Sequence, residues 1–156
     1  MTNRSKVRTC LWLEKGGLEA AQFYVSLLPW SAIDAVIPHG HDDDPMVVEF
    51  TLHGAPMMLL TAGPHFKLSP AASISVLTRD QAETDHLWQA LTADGGAESQ
   101  CGWLTDRFGV SWQIVPEALP RLLNAPDRAA ASRAQAAMMQ MRKIDIAALE
   151  AVFNAN

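Results

Sequence analysis

Residues 101–116 read CGWLTDRFGVSWQIVP. Two apolar runs, Cys101 to Thr105 and Val110 to Val115, flank the turn-forming stretch Asp106-Arg107-Phe108-Gly109. Apolar runs of strand length around Asp and Gly are expected to form a β-hairpin. Period two puts Ser111, Gln113 and Val115 on one face of the second strand, with Trp112 and Ile114 on the other. A four-residue turn would set Trp103 beside Trp112, both pointing at helices. The face that carries Gln113 is expected to line a pocket.

Working back from the hairpin, Ala97 to Gln100 reads as a short edge strand. Gly95-Gly96 ends a helix that runs from Gln81 to Asp94 and turns Leu87, Trp88 and Leu91 inward. Ala72 to Leu77 reads as a strand. The same order occurs earlier in the chain. Val7 to Leu13 is a strand broken by Lys15-Gly16-Gly17. A helix from Leu18 to Leu28 follows, with Leu18, Ala21, Val25 and Leu28 on one stripe, and Pro29 stops it. Ala32 to Ile37 is a strand. Met46 to Leu52 and Pro56 to Thr61 make a hairpin around His53-Gly54-Ala55. Each half thus reads strand, helix, three strands, an internal repeat of faint identity. An offset of 64 sets Thr9 on Ser73, Leu13 on Leu77, Tyr24 on Trp88 and Leu27 on Leu91. Matching Gly54 to Gly109 sets Met58 on Gln113 and Leu59 on Ile114. Beyond Pro116, Leu119 to Leu123 reads as a turn or two of helix. Asp127 is placed to cap a helix through about Met141, and Asp145 to cap a last one from Ile146 to Phe153. Helices this short need tertiary packing, on the body or on a partner subunit.

The chain has 156 residues and a mass of 17.0 kDa, which fits one domain over residues 1–156. Its parts are a module at 7–61, a module at 72–116 and helices at 118–154. Apolar residues make up 49% and charged residues 19%, which excludes a disordered chain. A net charge of −5 argues against nucleic-acid or acidic-membrane binding, which rests on clustered Lys and Arg. No apolar run approaches the roughly 18 residues of a membrane span. The first residues lack the apolar stretch of a signal peptide. Cys10 and Cys101 have no zinc or CxxC spacing, so a reduced, cytoplasmic setting is expected.

The stretch CLWLEKGGLEAAQFYVSLLP (10–29) resembles the opening strand and helix of the PhnB-like branch of the vicinal oxygen chelate superfamily. That superfamily includes glyoxalase I, bleomycin-resistance proteins and extradiol dioxygenases. QCGWLTDRFGVSWQIVP (100–116) looks like the hairpin of the same branch, and QMRKIDIAALEAVF (140–153) is similar to its tail. The branch is labelled 3-demethylubiquinone-9 3-methyltransferase. The resemblance implies an α+β fold of two βαβββ modules (the glyoxalase/bleomycin resistance/dihydroxybiphenyl dioxygenase fold) with a C-terminal helical tail. Each module would give a curved four-stranded sheet with its helix on the convex side. The concave faces would form a half-open barrel around a pocket, and homodimers would be common.

In metal-dependent members of the superfamily, His, Gln and Glu on the first and last strands of each module hold a divalent ion. The matching positions here are Thr9, Met58, Ser73 and Gln113. None is a His or a carboxylate, so no metal cofactor is expected. A metal would require a register one residue away from this one. His39 and His41 with Asp42, Asp43 and Asp44 could bind a cation or form a solvated turn. His53, His65 and His86 are expected at the surface. Cys101 reads either as a nucleophile or as a small hydrophobe buried beside Trp103. Trp12, Trp103 and Trp112 read as core more than as stacking platforms. Met138, Met139 and Met141 read as helix packing or as a soft gripping surface. For S-adenosylmethionine, Gly16-Gly17 and Asp34 are weak candidates, and the strand order is wrong for a doubly wound sheet. The expected function is binding of a small, largely apolar molecule in a pocket lined by Thr9, Leu11, Phe50, Met58, Leu60, Ser73, Ser75, Ser111 and Gln113. A metal-dependent glyoxalase or dioxygenase and the methyltransferase of the label are the alternatives.

Overall fold

A computed structural model describes residues 5–38, 40 and 44–155. The expected cation cluster falls largely elsewhere: His39, His41, Asp42 and Asp43 lie outside the described residues. The chain forms two compact units, Met1–Leu68 and Ser69–Asn156.

In the first unit the order is β1 (Thr9–Leu13), α1 (Gly17–Leu27), β2 (Ala32–Ile37), β3 (Val47–Leu52) and β4 (Ala55–Thr61). The sheet order is β1-β4-β3-β2, with β1 parallel to β4 and the other pairs antiparallel. α1 covers one face. Tyr24 of α1 meets Phe50 of β3 at a ring separation of 6.3 Å, and both are fully buried with Val48 and Leu59. The helix comes close because its buried face is Gly17, Ala20, Ala21 and Tyr24; of the expected stripe Leu18, Ala21, Val25 and Leu28, only Ala21 is fully buried. Small residues admit the backbone, and one aromatic fills the space that remains. A Cβ on Gly17 would collide with Thr61 Oγ1. The Gly16 N–H donates to Asp44 Oδ2 at 2.7 Å, so Asp44 fastens the turn ahead of the helix.

The second unit repeats the order with β5 (Ser73–Thr78), α2 (Gln81–Thr92), a 3-10 turn (Ala93–Gly95), β6 (Ala97–Glu98), β7 (Trp103–Thr105) and β8 (Ser111–Pro116). Its sheet order is β5-β8-β7-β6, again with the first strand parallel to the last. The expected α+β fold of two βαβββ modules is therefore present. Asp80 caps α2 by accepting the Glu83 N–H at 2.8 Å. Leu87, Trp88 and Leu91 are buried, as expected from the spacing. They lie on the side of the sheet that carries Leu104, Trp112 and Ile114. The buried hydroxyls of Thr78 and Thr84, 2.6 Å apart, join β5 to α2.

The tail forms α3 (Ala118–Leu123), α4 (Arg128–Met138) and α5 (Ile146–Phe153), the last two capped by Asp127 and Asp145 as expected. These helices bury Leu119, Leu122, Ala134, Ile144 and Leu149 together, with Met138 and Met141 packed at the edge. Gln81 ties them to α2. Its amide donates to Ile144 O at 3.1 Å and accepts the Ile146 N–H at 2.9 Å. Lys143 Nζ also lies 2.6 Å from Asp85 Oδ1. The hydrogen bond from Lys143, and then that from Gln81, hold the Asp85 carboxyl below its ordinary 3.8. A depressed carboxyl contributes stability above its ordinary pKa and loses it as pH falls through the lowered value. Lys143→Met is therefore expected to cost under ~1 kcal/mol at neutral pH, because the pair is partly exposed, and less at an acid pH below the ordinary 3.8, where the contribution fades as the carboxyl takes up its proton. Urea midpoints at the two pH values check this; equal losses at both would refute it.

Candidate functional site: the open sheet faces

Register fixes which side chains stand on the face of each sheet away from its helix. In the first unit Leu11 pairs with Leu59 and Phe50 with Met57, all buried under α1. Their neighbours one residue on form the open face: Cys10 opposite Met58, Trp12 opposite Leu60, and Glu49 opposite Met58. This corrects the sequence reading at three positions. Thr9 and Leu11 belong to the helix side, and Phe50 is core packed on Tyr24. Met58 and Leu60 stand on the open face. Trp12 is not core; it stands half-buried on the open face, donates Nε1–H to Gly63 O at 2.9 Å and meets Phe66 edge-on at 5.0 Å. Burial pushes the Cys10 thiol above its ordinary range, which keeps it protonated.

A charged cluster spans the same face. Arg8, just ahead of β1, reaches across the sheet to β2. Its Nη1 donates to Met57 O (3.2 Å) and Phe50 O (2.9 Å) and lies 2.8 Å from Asp34 Oδ2. Its Nε is 3.7 Å from Glu49 Oε2. Thr51 Oγ1 donates to Asp34 at 2.9 Å. The Arg8 and Glu49 side chains are only 10% and 12% exposed, so this is a largely desolvated pair. Asp34 reaches it because β2 is bulged between Ile33 and Ala35. A bulge inserts one residue and re-aims a side chain. Sequence reading missed Arg8 and Glu49 and weighed Asp34 only as a ribose ligand. A signal was available: Ile33 and Val36 pair with Phe50 and Val48 on the helix side, a spacing that strict alternation cannot give.

In the second unit, Ser73 pairs with Ser111 and Ser75 with Gln113, so all four share the open face. Gln113 Nε2 donates to Ser73 Oγ at 2.9 Å. Ser111 is buried, Ser73 and Gln113 are half-buried, and Ser75 is exposed. Trp103 pairs with Gln113 and so stands on this face, contrary to expectation; Leu104 is the partner of the core residue Trp112. The hairpin loop is one residue longer than expected, because Thr105 pairs with Ser111 and Val110 belongs to the turn. Cys101 is half-buried, not a core residue.

The implied metal can be tested against these donors. On the open faces, the strands that bear ligands in metal-dependent relatives carry Cys10 and Met58 in one unit, and Ser73, Ser75 and Gln113 in the other. Hydroxyls, an amide and a thioether are poor ligands for zinc, iron or manganese, and a single thiol does not make a site. Among the described residues, no three His, Cys, Asp or Glu side chains are grouped to hold an ion. The residues do not fit the superfamily site in either register. Gly16 and Gly17 are likewise occupied, the one held by Asp44 and the other packed on Thr61. No helix among the described residues is long and apolar enough to cross a membrane.

Two helix-backed βαβββ sheets make the fold also found in solved glyoxalase/bleomycin resistance and fosfomycin resistance proteins. The chain belongs to the family described as 3-demethylubiquinone-9 3-methyltransferase, whose model matches residues 5–115. A PhnB protein from Bacillus cereus bearing the same methyltransferase label is 29% identical, with a TM-score of 0.66; the match covers 72% of this chain and 99% of that one. A glyoxalase/bleomycin resistance protein from Albidiferax ferrireducens is 11% identical over 70% of this chain and 96% of its own, with a TM-score of 0.50. The fosfomycin resistance protein FosX from Listeria monocytogenes is 11% identical over 80% of this chain and all of its own (100%), with a TM-score of 0.56. The last two show the fold alone. No curated protein matches the chain.

Proposed function

We propose that this chain binds a small, largely apolar molecule on its open sheet faces, without a superfamily-type metal. The observation that carries the reading is the make-up of the face around Gln113. Trp103 and the exposed Leu77 supply apolar surface there, while Ser73, Ser75 and Gln113 supply a few hydrogen-bonding groups. Mostly apolar walls with a few placed polar groups are the usual make-up of a small-molecule site. Gln113 has one amide hydrogen committed to Ser73, which orients the group and turns its remaining capacity to a ligand. In the first unit Met58, Leu60 and Trp12 form the apolar part of the face, beside the Arg8–Glu49 cluster. The resemblance to the superfamily supports a homodimer working in the reduced cytoplasm. Among the described residues no cofactor turn supports the methyltransferase label.

The test is displacement of 1-anilinonaphthalene-8-sulfonate by a panel of small quinones, phenols and ketones, read also by tryptophan emission. Gln113→Leu is expected to weaken the best carbonyl or hydroxyl ligand about tenfold, the value of one hydrogen bond near 1.4 kcal/mol. Trp103→Phe should remove most of the emission change. Absence of saturable displacement, or equal binding by wild type and Gln113→Leu, would refute the proposal.

A further inference from the structure

In the charged cluster on the first unit's open face, Arg8 Nε is buried and reaches no hydrogen-bond acceptor among the described residues. The guanidinium is engaged at its other end, where Nη1 serves Met57 O, Phe50 O and the Asp34 carboxylate. Glu49 Oε2, at 3.7 Å from Nε, is near enough for charge pairing and too far for a hydrogen bond. A charged N–H withdrawn from water without an acceptor costs free energy. An ion pair that served stability alone would close to contact, as the more exposed Lys143–Asp85 pair does at 2.6 Å. The gap also borders apolar surface. Glu49 stands directly across from Met58, and Leu60 follows on the same face; both are half-buried.

We infer that the Arg8–Glu49 pair receives a hydroxyl of the bound molecule, which narrows the ligand class to neutral alcohols and phenols. The inference rests on the small-molecule reading above and gives it a polar anchor in the first unit. A hydroxyl oxygen roughly 2.8 Å from each group accepts the Nε–H and donates its own proton to the Glu49 carboxylate. The Arg8 and Glu49 side chains keep 10% and 12% of their surface exposed, so the hydroxyl enters from the open side with a small turn of the carboxylate, whose terminal torsion is soft. The chemistry selects the group. A ketone or ether oxygen accepts from Nε–H but has no proton for Glu49. An ammonium donates to Glu49 but is repelled by Arg8. A ligand carboxylate or phosphate meets an arginine already balanced by Asp34 and Glu49, and is repelled by both acids. An uncharged atom that both accepts and donates satisfies the two sides at once. The apolar body of the ligand lies against Met58 and Leu60.

The test titrates the full chain at neutral pH, by calorimetry, with naphthol, its methyl ether and naphthoate. Naphthol is expected to bind about tenfold tighter than the ether, with naphthoate the weakest. Glu49→Gln, which keeps the shape and removes the charge, should cut the preference for naphthol about threefold and leave the ether as it was. Should Glu49→Gln fail to fold, the Arg8 Nε–H resonance of the unaltered chain locates the hydroxyl: it is expected to move on adding naphthol, and an unmoved resonance would overturn the inference. Equal affinity for naphthol and its ether would overturn it too, and leave the small-molecule reading standing. So would a naphthol preference that survives Glu49→Gln in full and disappears in Gln113→Leu, since the hydroxyl would then belong to the face around Gln113. No saturable binding of any of the three compounds would remove the small-molecule reading itself, and the inference with it.

Discussion

Asp106→Ala is expected to lower stability by about 3 kcal/mol, among the larger single-residue losses in this chain. The residue is only 3% exposed, at the root of the β7–β8 hairpin. One carboxylate oxygen accepts the N–H groups of Phe108 (2.9 Å) and Val110 (3.0 Å), and the other accepts Trp112 Nε1–H (2.9 Å). Alanine leaves three donors without this acceptor. Two of them are in buried bonds, and water cannot replace it there without opening the turn. Among the described residues the indole is also the largest fully buried side chain. Its position under α2 depends on the bond it loses. Asp106→Asn should cost about half as much, since its carbonyl still serves the two backbone amides while its NH₂ faces the indole N–H. Urea unfolding followed by tryptophan emission gives the order wild type, Asn, Ala. An alanine variant within about 1 kcal/mol of wild type would contradict this account.

Gly102→Ala is the second large effect, again roughly 3 kcal/mol. Two costs add. The residue sits at φ +83°, where a Cβ is strained by about 1–2 kcal/mol. The added Cβ would also stand 2.8 Å from Ile114 O and 3.2 Å from Ile144 Cγ1. The carbonyl belongs to the central strand β8, and Ile144 lies at the centre of the tail's core, so neither yields easily. Gly109→Ala separates the costs. Gly109 has φ +85°, but a Cβ there would meet no atom within 4 Å, so it carries the backbone strain alone. The difference between the two variants measures the crowding, about 1–3 kcal/mol. Equal losses would mean that the tail and β8 give way at no cost.

The element order was legible in the sequence because the hydrophobic periods and the glycine, proline and aspartate stops agree with one another. Asp80 and Asp127 cap helices where their sequence context places them. What misled was single residues of loop. The turn from β1 to α1 holds Glu14 to Gly16, whereas that from β5 to α2 holds only Arg79 and Asp80. The helices therefore align at an offset of 64, Tyr24 with Trp88, and the strands at 65, Leu13 with Thr78. Carrying one offset through both reversed the faces of β1, which put Thr9 and Leu11 where Cys10 and Trp12 stand. A slip of one residue flips every side chain of a strand. Val110 did the same to β7. It looks like the first residue of a strand, but its N–H is held by the Asp106 side chain inside the turn, and this moved Trp103 to the open face. The faces of β5 and β8 were legible because Ser73, Ser75, Ser111 and Gln113 mark the polar side without ambiguity. Arg8 and Glu49 were not, since their partnership depends on the β1-β4-β3 strand order and on no local spacing.

The parallel pairing of first with last strand has a consequence for the order in which the chain can mature during synthesis. β1 waits for β4, and β5 waits for β8, so neither sheet acquires its outermost strand until its whole module has left the ribosome. The earlier module has every strand it needs once Thr61 is out. The later one must in addition await Ile144 and Leu149, because the last helices seal its tail core and Gln81 reaches their start. A nascent chain paused between Pro116 and Asp145 would thus carry one finished half and one half with unsealed apolar surface, which makes that interval the one in which chaperone protection matters most.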